Sequence, residues 1–75
     1  MSQRLGIIGA GGHGKVVAEV AERVGWDDVV FFDSRYEAGD RRHGHWPLVA
    51  IPEDAGAHPC DGYFVAIGNS RSRQQ

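Results

Sequence analysis

Three short apolar runs, one amphipathic helix between the first two, and glycines closing the first run predict a small α/β domain on a three-stranded parallel sheet. The runs are Leu5-Gly6-Ile7-Ile8, Val29-Val30-Phe31-Phe32 and Gly62-Tyr63-Phe64-Val65-Ala66-Ile67. Each is nearly continuous in its apolar character, as strands buried on both faces of a parallel sheet are. For the first run, periodicity alone leaves a helix open, and the glycines that end it decide for a strand.

The helix is predicted from His13 to Val24. Val16, Val17, Val20, Ala21 and Val24 recur at three-to-four spacing, while Lys15, Glu19, Glu22 and Arg23 occupy the other side. Gly25 supplies the stop. The second run, β-branched and aromatic, ends in Asp33-Ser34 and completes a right-handed strand-helix-strand unit. The predicted strand order is second, first, third.

Between the second and third runs the pattern weakens. Residues 34–46 mix charged residues, glycines and two histidines without a sustained period, and read as a surface loop. Trp46-Pro47-Leu48-Val49 reads as a short edge strand, where the missing N–H of Pro47 is tolerated. Ile51-Pro52-Glu53-Asp54 reads as a single helical turn with proline at its start. Gly68-Asn69 breaks the third run, and Ser70 reads as a helix cap. Behind it the tail Arg71-Ser72-Arg73-Gln74-Gln75 adds one polar turn and no apolar stripe, so the chain is expected to stop inside an element, a frayed natural end being the alternative.

Seventy-five residues support one small core, and 41% apolar with 24% charged residues is the composition of a globular domain, not of a disordered one. A formal charge of -2 offers no basic footprint for nucleic acid and no polybasic signal for a membrane surface. Cys60 is the single cysteine, which excludes an intramolecular disulfide and a thiolate zinc site and fits a reducing cytosol. The first residues form neither a signal peptide nor a spanning segment, so a cytoplasmic protein without membrane insertion is expected.

The segment Gly9-Ala10-Gly11-Gly12-His13-Gly14 matches G-x-G-x-x-G between a predicted strand and a predicted helix, the context that motif requires. With it the domain reads as Rossmann-like. Gly9 permits the tight turn, Gly11 lets backbone N–H groups approach a pyrophosphate, and Gly14 lets the helix pack closely on the strand. Unpaired N–H groups and the positive dipole end of the helix favour a phosphate there. Asp33 follows Gly14 by the ~20 residues expected of an acid that holds a ribose hydroxyl, and its bare charge disfavours an NADP-type ligand despite Arg35 nearby. The plainer reading is that the glycines only turn the chain and Asp33 only ends a strand. Gly9 to Lys15 also fits G-x-x-x-x-G-K, but Val16 stands where an NTPase loop needs a hydroxyl for magnesium, leaving Lys15 as a solvated helix residue.

At these residues the chain resembles the N-terminal domain of the PglD/NeuD-like sugar acyltransferases. The resemblance runs through Ile7-Ile8-Gly9-Ala10-Gly11-Gly12-His13-Gly14-Lys15-Val16-Val17-Ala18-Glu19, through Phe31-Phe32-Asp33-Ser34, through Trp46-Pro47-Leu48-Val49, and through Val65-Ala66-Ile67-Gly68-Asn69 with Arg71. It implies a Rossmann-like domain over residues 1–75 that holds a UDP- or related nucleotide-linked amino sugar. Gly11, Gly12 and His13 would lie at the phosphates or sugar, and Asp33, Ser34 and Gly68 would complete the pocket. It further implies a following left-handed β-helix, outside this chain, that trimerises, binds acetyl-CoA and supplies a histidine base. This chain alone would then bind no acetyl-CoA, hold no catalytic residue and be inactive. Ser34 in place of a second acid and the basic, glycine-rich stretch from Arg35 to His45 depart from the family pattern.

Two functions from different classes therefore stand. One is the nucleotide-sugar-binding part of an acetyl-CoA-dependent sugar N- or O-acetyltransferase. The other is an NAD-binding fragment of an oxidoreductase or a stand-alone nucleotide-binding regulatory domain. His13 is expected to touch the ligand, and His43-Gly44-His45 to be a solvated loop without the carboxylate or thiolate a metal would need. Trp26 and Trp46 are expected to pack, not to stack on a ligand.

Overall fold

A computed structural model describes residues 3–9 and 11–66 of the chain. The order of elements is β1 (Arg4–Ile8), α1 (Gly12–Val24), β2 (Asp28–Phe32), a 3₁₀ helix (Ser34–Tyr36), β3 (Arg42–His43), β4 (Trp46–Ala50), a second 3₁₀ helix (Pro52–Ala57) and β5 (Gly62–Val65). The expected first two strands and the helix form within a residue of their predicted limits.

Among the described residues the sheet has five strands, not three, in the order β3-β4-β2-β1-β5. The predicted order is kept inside it: β1 pairs in parallel with β2, Arg4 opposite Asp28, and with β5, Leu5 opposite Gly62. The two extra strands come from the stretch read as a loop and an edge. β4 is an interior strand, parallel to β2 with Phe31 opposite Leu48. Its other partner is β3, a two-residue antiparallel strand that places Arg42 opposite Pro47 and His43 opposite Trp46; since Leu48 N donates toward β3, to Arg41 O, the missing N–H of Pro47 falls on the β2 side, one residue before the pairing with β2 begins at Leu48. A two-residue turn, Gly44-His45, joins them, with Gly44 at φ 64 as a glycine-first hairpin turn requires.

Both faces of the sheet carry core. On one, Leu5, Ile7, Val29, Phe31 and Leu48 pack with Trp46 and with Ala18 and Ala21 of α1. On the other, Val30, Phe32 and Ala50 meet Ala55 of the second 3₁₀ helix. Ile7, Phe31, Phe32 and Leu48 are the largest wholly buried side chains, and each contributes about 1.5–3 kcal/mol relative to exposure.

The helix turns a different side to the sheet from the one its valines predict. Gly14, Ala18 and Ala21 are its buried residues, Val17 is half-buried, and Val16, Val20 and Val24 are exposed. Small residues bring α1 close to the strands, and Phe31 fills the space beneath. A β-carbon on Gly14 would stand 2.9 Å from the Gly9 carbonyl oxygen and 2.9 Å from Phe31 Cε1, so the close packing predicted for this glycine is present. The valines instead line a groove of about 480 Å³ with Leu5, Trp26 and Phe64.

The third run forms a strand, but at the sheet edge and not buried: Phe64 is 43% and Val65 60% exposed. A short apolar run reads alike for a central strand and for an edge, and the difference lies in what the rest of the chain lays over it. Trp26 and Trp46 pack as expected, Trp46 buried with Nε1 donating to Glu22 Oε2 at 3.0 Å and Trp26 against the main core. The helix expected to begin at Ser70 lies outside the described residues. Among those described, no helix is long and apolar enough to cross a membrane.

Candidate functional site

The strands end together on one side of the sheet, and backbone hydrogen bonds beyond the ladder hold their ends in register. Gly9 N donates to Phe32 O at 2.8 Å, Ala66 N to Ile8 O at 2.8 Å, and Asp33 N to Ala50 O at 3.0 Å. The carboxyl ends of β5, β1, β2 and β4 are thereby fixed beside one another. The chain leaves β1 toward β2 on one side, while β5 returns on the other. In an open α/β sheet this reversal opens the crevice where ligands bind.

At that crevice the glycine-rich turn has the conformation its sequence implies. Gly9 has φ 102, and Gly11, the residue that caps α1, has φ 96 and ψ −173. Side chains other than glycine's rarely adopt such angles. Among the described residues, a β-carbon on Gly11 would meet nothing within 4 Å, so they leave the turn open on its outer side. Lys15 N donates to Gly11 O at 3.2 Å, the first bond of the helix. No side chain caps α1 and its first turn holds no acid. The leading N–H groups of a helix so started present partial positive charge outward.

Gly12 and His13 begin the helix and are exposed, and the His13 ring makes no hydrogen bond to the described residues. Asp33 follows β2 directly, next to the end of β1. Its Oδ1 accepts from Arg35 N at 3.0 Å, capping the short 3₁₀ helix. Arg35 Nε lies 3.9 Å from the same oxygen and 3.9 Å from Asp40 Oδ2. The Asp33 charge is therefore not bare, as the sequence suggested, but accompanied by a guanidinium. Ser34 is exposed at the start of that 3₁₀ helix. Gly11, Gly12, His13, Asp33 and Ser34 thus sit at the ends of two adjacent strands, whereas Gly68 lies outside the described residues.

Two residues that sequence reasoning left out connect these groups. His43, expected in a solvated loop, is 7% exposed, its ring edge-on to Phe31 with centroids 4.9 Å apart. Its Nε2 stands 2.9 Å from both Gly11 N and Gly11 O, and its Nδ1 2.6 Å from Arg35 Nη2. A chain of contacts thus runs from the glycine turn through His43 to Arg35 and on to Asp33. The signal in the sequence was Gly44, a glycine two residues before the apolar run Trp46-Pro47-Leu48-Val49, which marks a hairpin and places His43 on a strand. Beyond this chain, Arg41 lies 3.8 Å above the Tyr36 ring and donates to Tyr36 O, bracing the same segment. The described residues contain no group of three histidines, cysteines or acids placed to hold a metal ion.

Comparison with known proteins gives one match. The model of the family described as PglD N-terminal domain matches residues 4–75. No curated protein and no solved structure matches the chain.

Proposed function

Since the chain belongs to the PglD N-terminal domain family of sugar acetyltransferases, we propose that it binds a nucleotide-linked sugar, a UDP-amino-sugar-like molecule, for acetylation by the full-length enzyme. The observation that carries this reading is the open glycine turn. Gly11 holds φ 96 at the start of α1, facing solvent at the carboxyl end of β1, with Asp33 at the end of the neighbouring strand. Backbone N–H groups of Gly12 and His13 hold the diphosphate by charge-assisted hydrogen bonds, while the Gly11 N–H is directed inward at His43 Nε2. The His13 ring donates to a phosphate oxygen or a sugar hydroxyl. Asp33 accepts from a ribose or sugar hydroxyl, and Ser34 and Gly68 close the pocket.

On this reading the chain contributes binding and orientation, and no residue of it takes part in acyl transfer. Acetyl-CoA is the acyl donor of the full-length protein, and the base and the trimer contacts belong to a left-handed β-helix domain. The reaction is then N- or O-acetylation of a nucleotide sugar in the cytoplasm.

Isothermal titration with UDP, UDP-N-acetyl sugars, NAD and CoA tests the reading. UDP-linked ligands are expected to bind more tightly than NAD or CoA. Failure of every UDP ligand to bind at millimolar concentration would sink the proposal, and tighter binding of NAD would favour a hydride-transfer enzyme.

A further inference from the structure

His43 faces two groups that place opposite demands on it, and only one arrangement of its proton meets them. A guanidinium has donors and no acceptor, so Arg35 Nη2, 2.6 Å from Nδ1, requires a lone pair on that nitrogen. A neutral imidazole then carries its proton on Nε2. An Nε2–H cannot accept from Gly11 N, so of the two atoms 2.9 Å away it bonds the carbonyl oxygen. Gly11 O, already accepting from Lys15 N at 3.2 Å, has a second lone pair for it.

We infer that His43 is a positioning residue of the phosphate-binding turn: locked by Arg35 in its Nε2–H tautomer, it anchors the Gly11 carbonyl and so fixes the start of α1, where Gly12 and His13 are exposed. The other tautomer would let Nε2 accept from Gly11 N and would leave the Gly11 carbonyl without its donor from His43. Burial against Phe31 fixes the ring plane, and the Gly44-His45 turn with the Trp46 pairing fixes its height on the sheet. Arg35 thereby acts on the turn one imidazole's width away while its backbone N–H holds Asp33. The ligand assignment rests on the reading above; the tautomer does not.

The test is a long-range proton–nitrogen NMR correlation of the His43 ring on the 75-residue chain at about pH 8, above the ordinary imidazole range. Nε2 is expected to carry the proton, and in Arg35→Leu the Nδ1–H form is expected to become populated. An Nδ1–H tautomer in the unsubstituted chain, or a tautomer unmoved by Arg35→Leu, would overturn the inference, and neither readout requires a His43 variant to fold. For ligand binding, His43→Leu is expected to weaken UDP about tenfold, the loss of one hydrogen bond's positioning. In His43→Gln an amide N–H for Gly11 O and an oxygen for Arg35 restore most of the affinity. Equal affinities of the two variants would contradict the inference. If UDP fails to bind the unsubstituted chain, the ligand reading falls, and the tautomer measurements still decide the role of His43.

Discussion

Gly14 and Phe31 touch across the interface of α1 and the sheet so closely that a single methyl group would not fit between them: a β-carbon there would lie 2.9 Å from Phe31 Cε1 and as close to the carbonyl oxygen of Gly9. The third glycine of the motif therefore sets the depth at which the helix sits, and with it the height of the turn above the strand ends.

Gly14→Ala is accordingly expected to destabilise the domain. The helix interior gains up to ~1 kcal/mol from alanine over glycine, but overpacking against a ring and a backbone oxygen costs about 1–3 kcal/mol. A net loss should appear as a lower urea midpoint with unchanged slope. A gain in stability would show that the helix can move outward without cost.

Gly11→Val separates conformation from space. The described residues leave room for a β-carbon at this position, so the loss of stability comes from forcing a branched residue to φ 96 and ψ −173, about 1–3 kcal/mol. UDP binding is expected to disappear, because the side chain occupies the outer side of the turn. Thermal melting followed by calorimetry on the folded variant measures the two effects in turn.

Asp33 has both a structural and a proposed binding role, and asparagine divides them. Asn caps a helix about as well as Asp, so Asp33→Asn keeps the bond from Arg35 N and leaves the melting temperature nearly unchanged. Affinity for UDP is expected to fall by about 1–3 kcal/mol as a charged hydrogen bond is lost. An unchanged dissociation constant would assign Asp33 to capping alone.

Stability of the helix should depend on its small residues and not on its valines. Ala18 is 0% and Val20 53% exposed. Ala18→Val is expected to cost about 1–3 kcal/mol through overpacking, whereas Val20→Gln should change stability by no more than ~0.5 kcal/mol. Denaturant titrations of the two variants give the comparison.

These contrasts show where the sequence was legible. The strand-turn-helix at Gly9–Gly14 could be read because its glycines answer to local backbone geometry, which the chain specifies residue by residue. Val16, Val20 and Val24 misled because apolar spacing identifies a helix without telling which side is buried, and here Gly14, Ala18 and Ala21 let the helix pack close. Of the two strands beyond the expected three, β3 was missed and β4 was taken for an edge, for different reasons. Arg42-His43 is too short and polar to register as a strand, and Pro47 made β4 resemble an edge, although its missing donor falls just before the pairing with β2 begins at Leu48. His43 could not be read as part of the site, since its neighbours Gly11 and Arg35 are brought to it only by the pairing of β3 with β4.

The location of the ligand is the central claim, and amide chemical shifts on addition of UDP test it most directly. The largest changes in a proton–nitrogen spectrum are predicted for Gly11, Gly12 and His13, with smaller ones for Asp33 and Ser34, saturating below millimolar UDP. A spectrum unchanged at millimolar UDP, or one whose changes cluster instead along Val16, Val20 and Phe64, would contradict it.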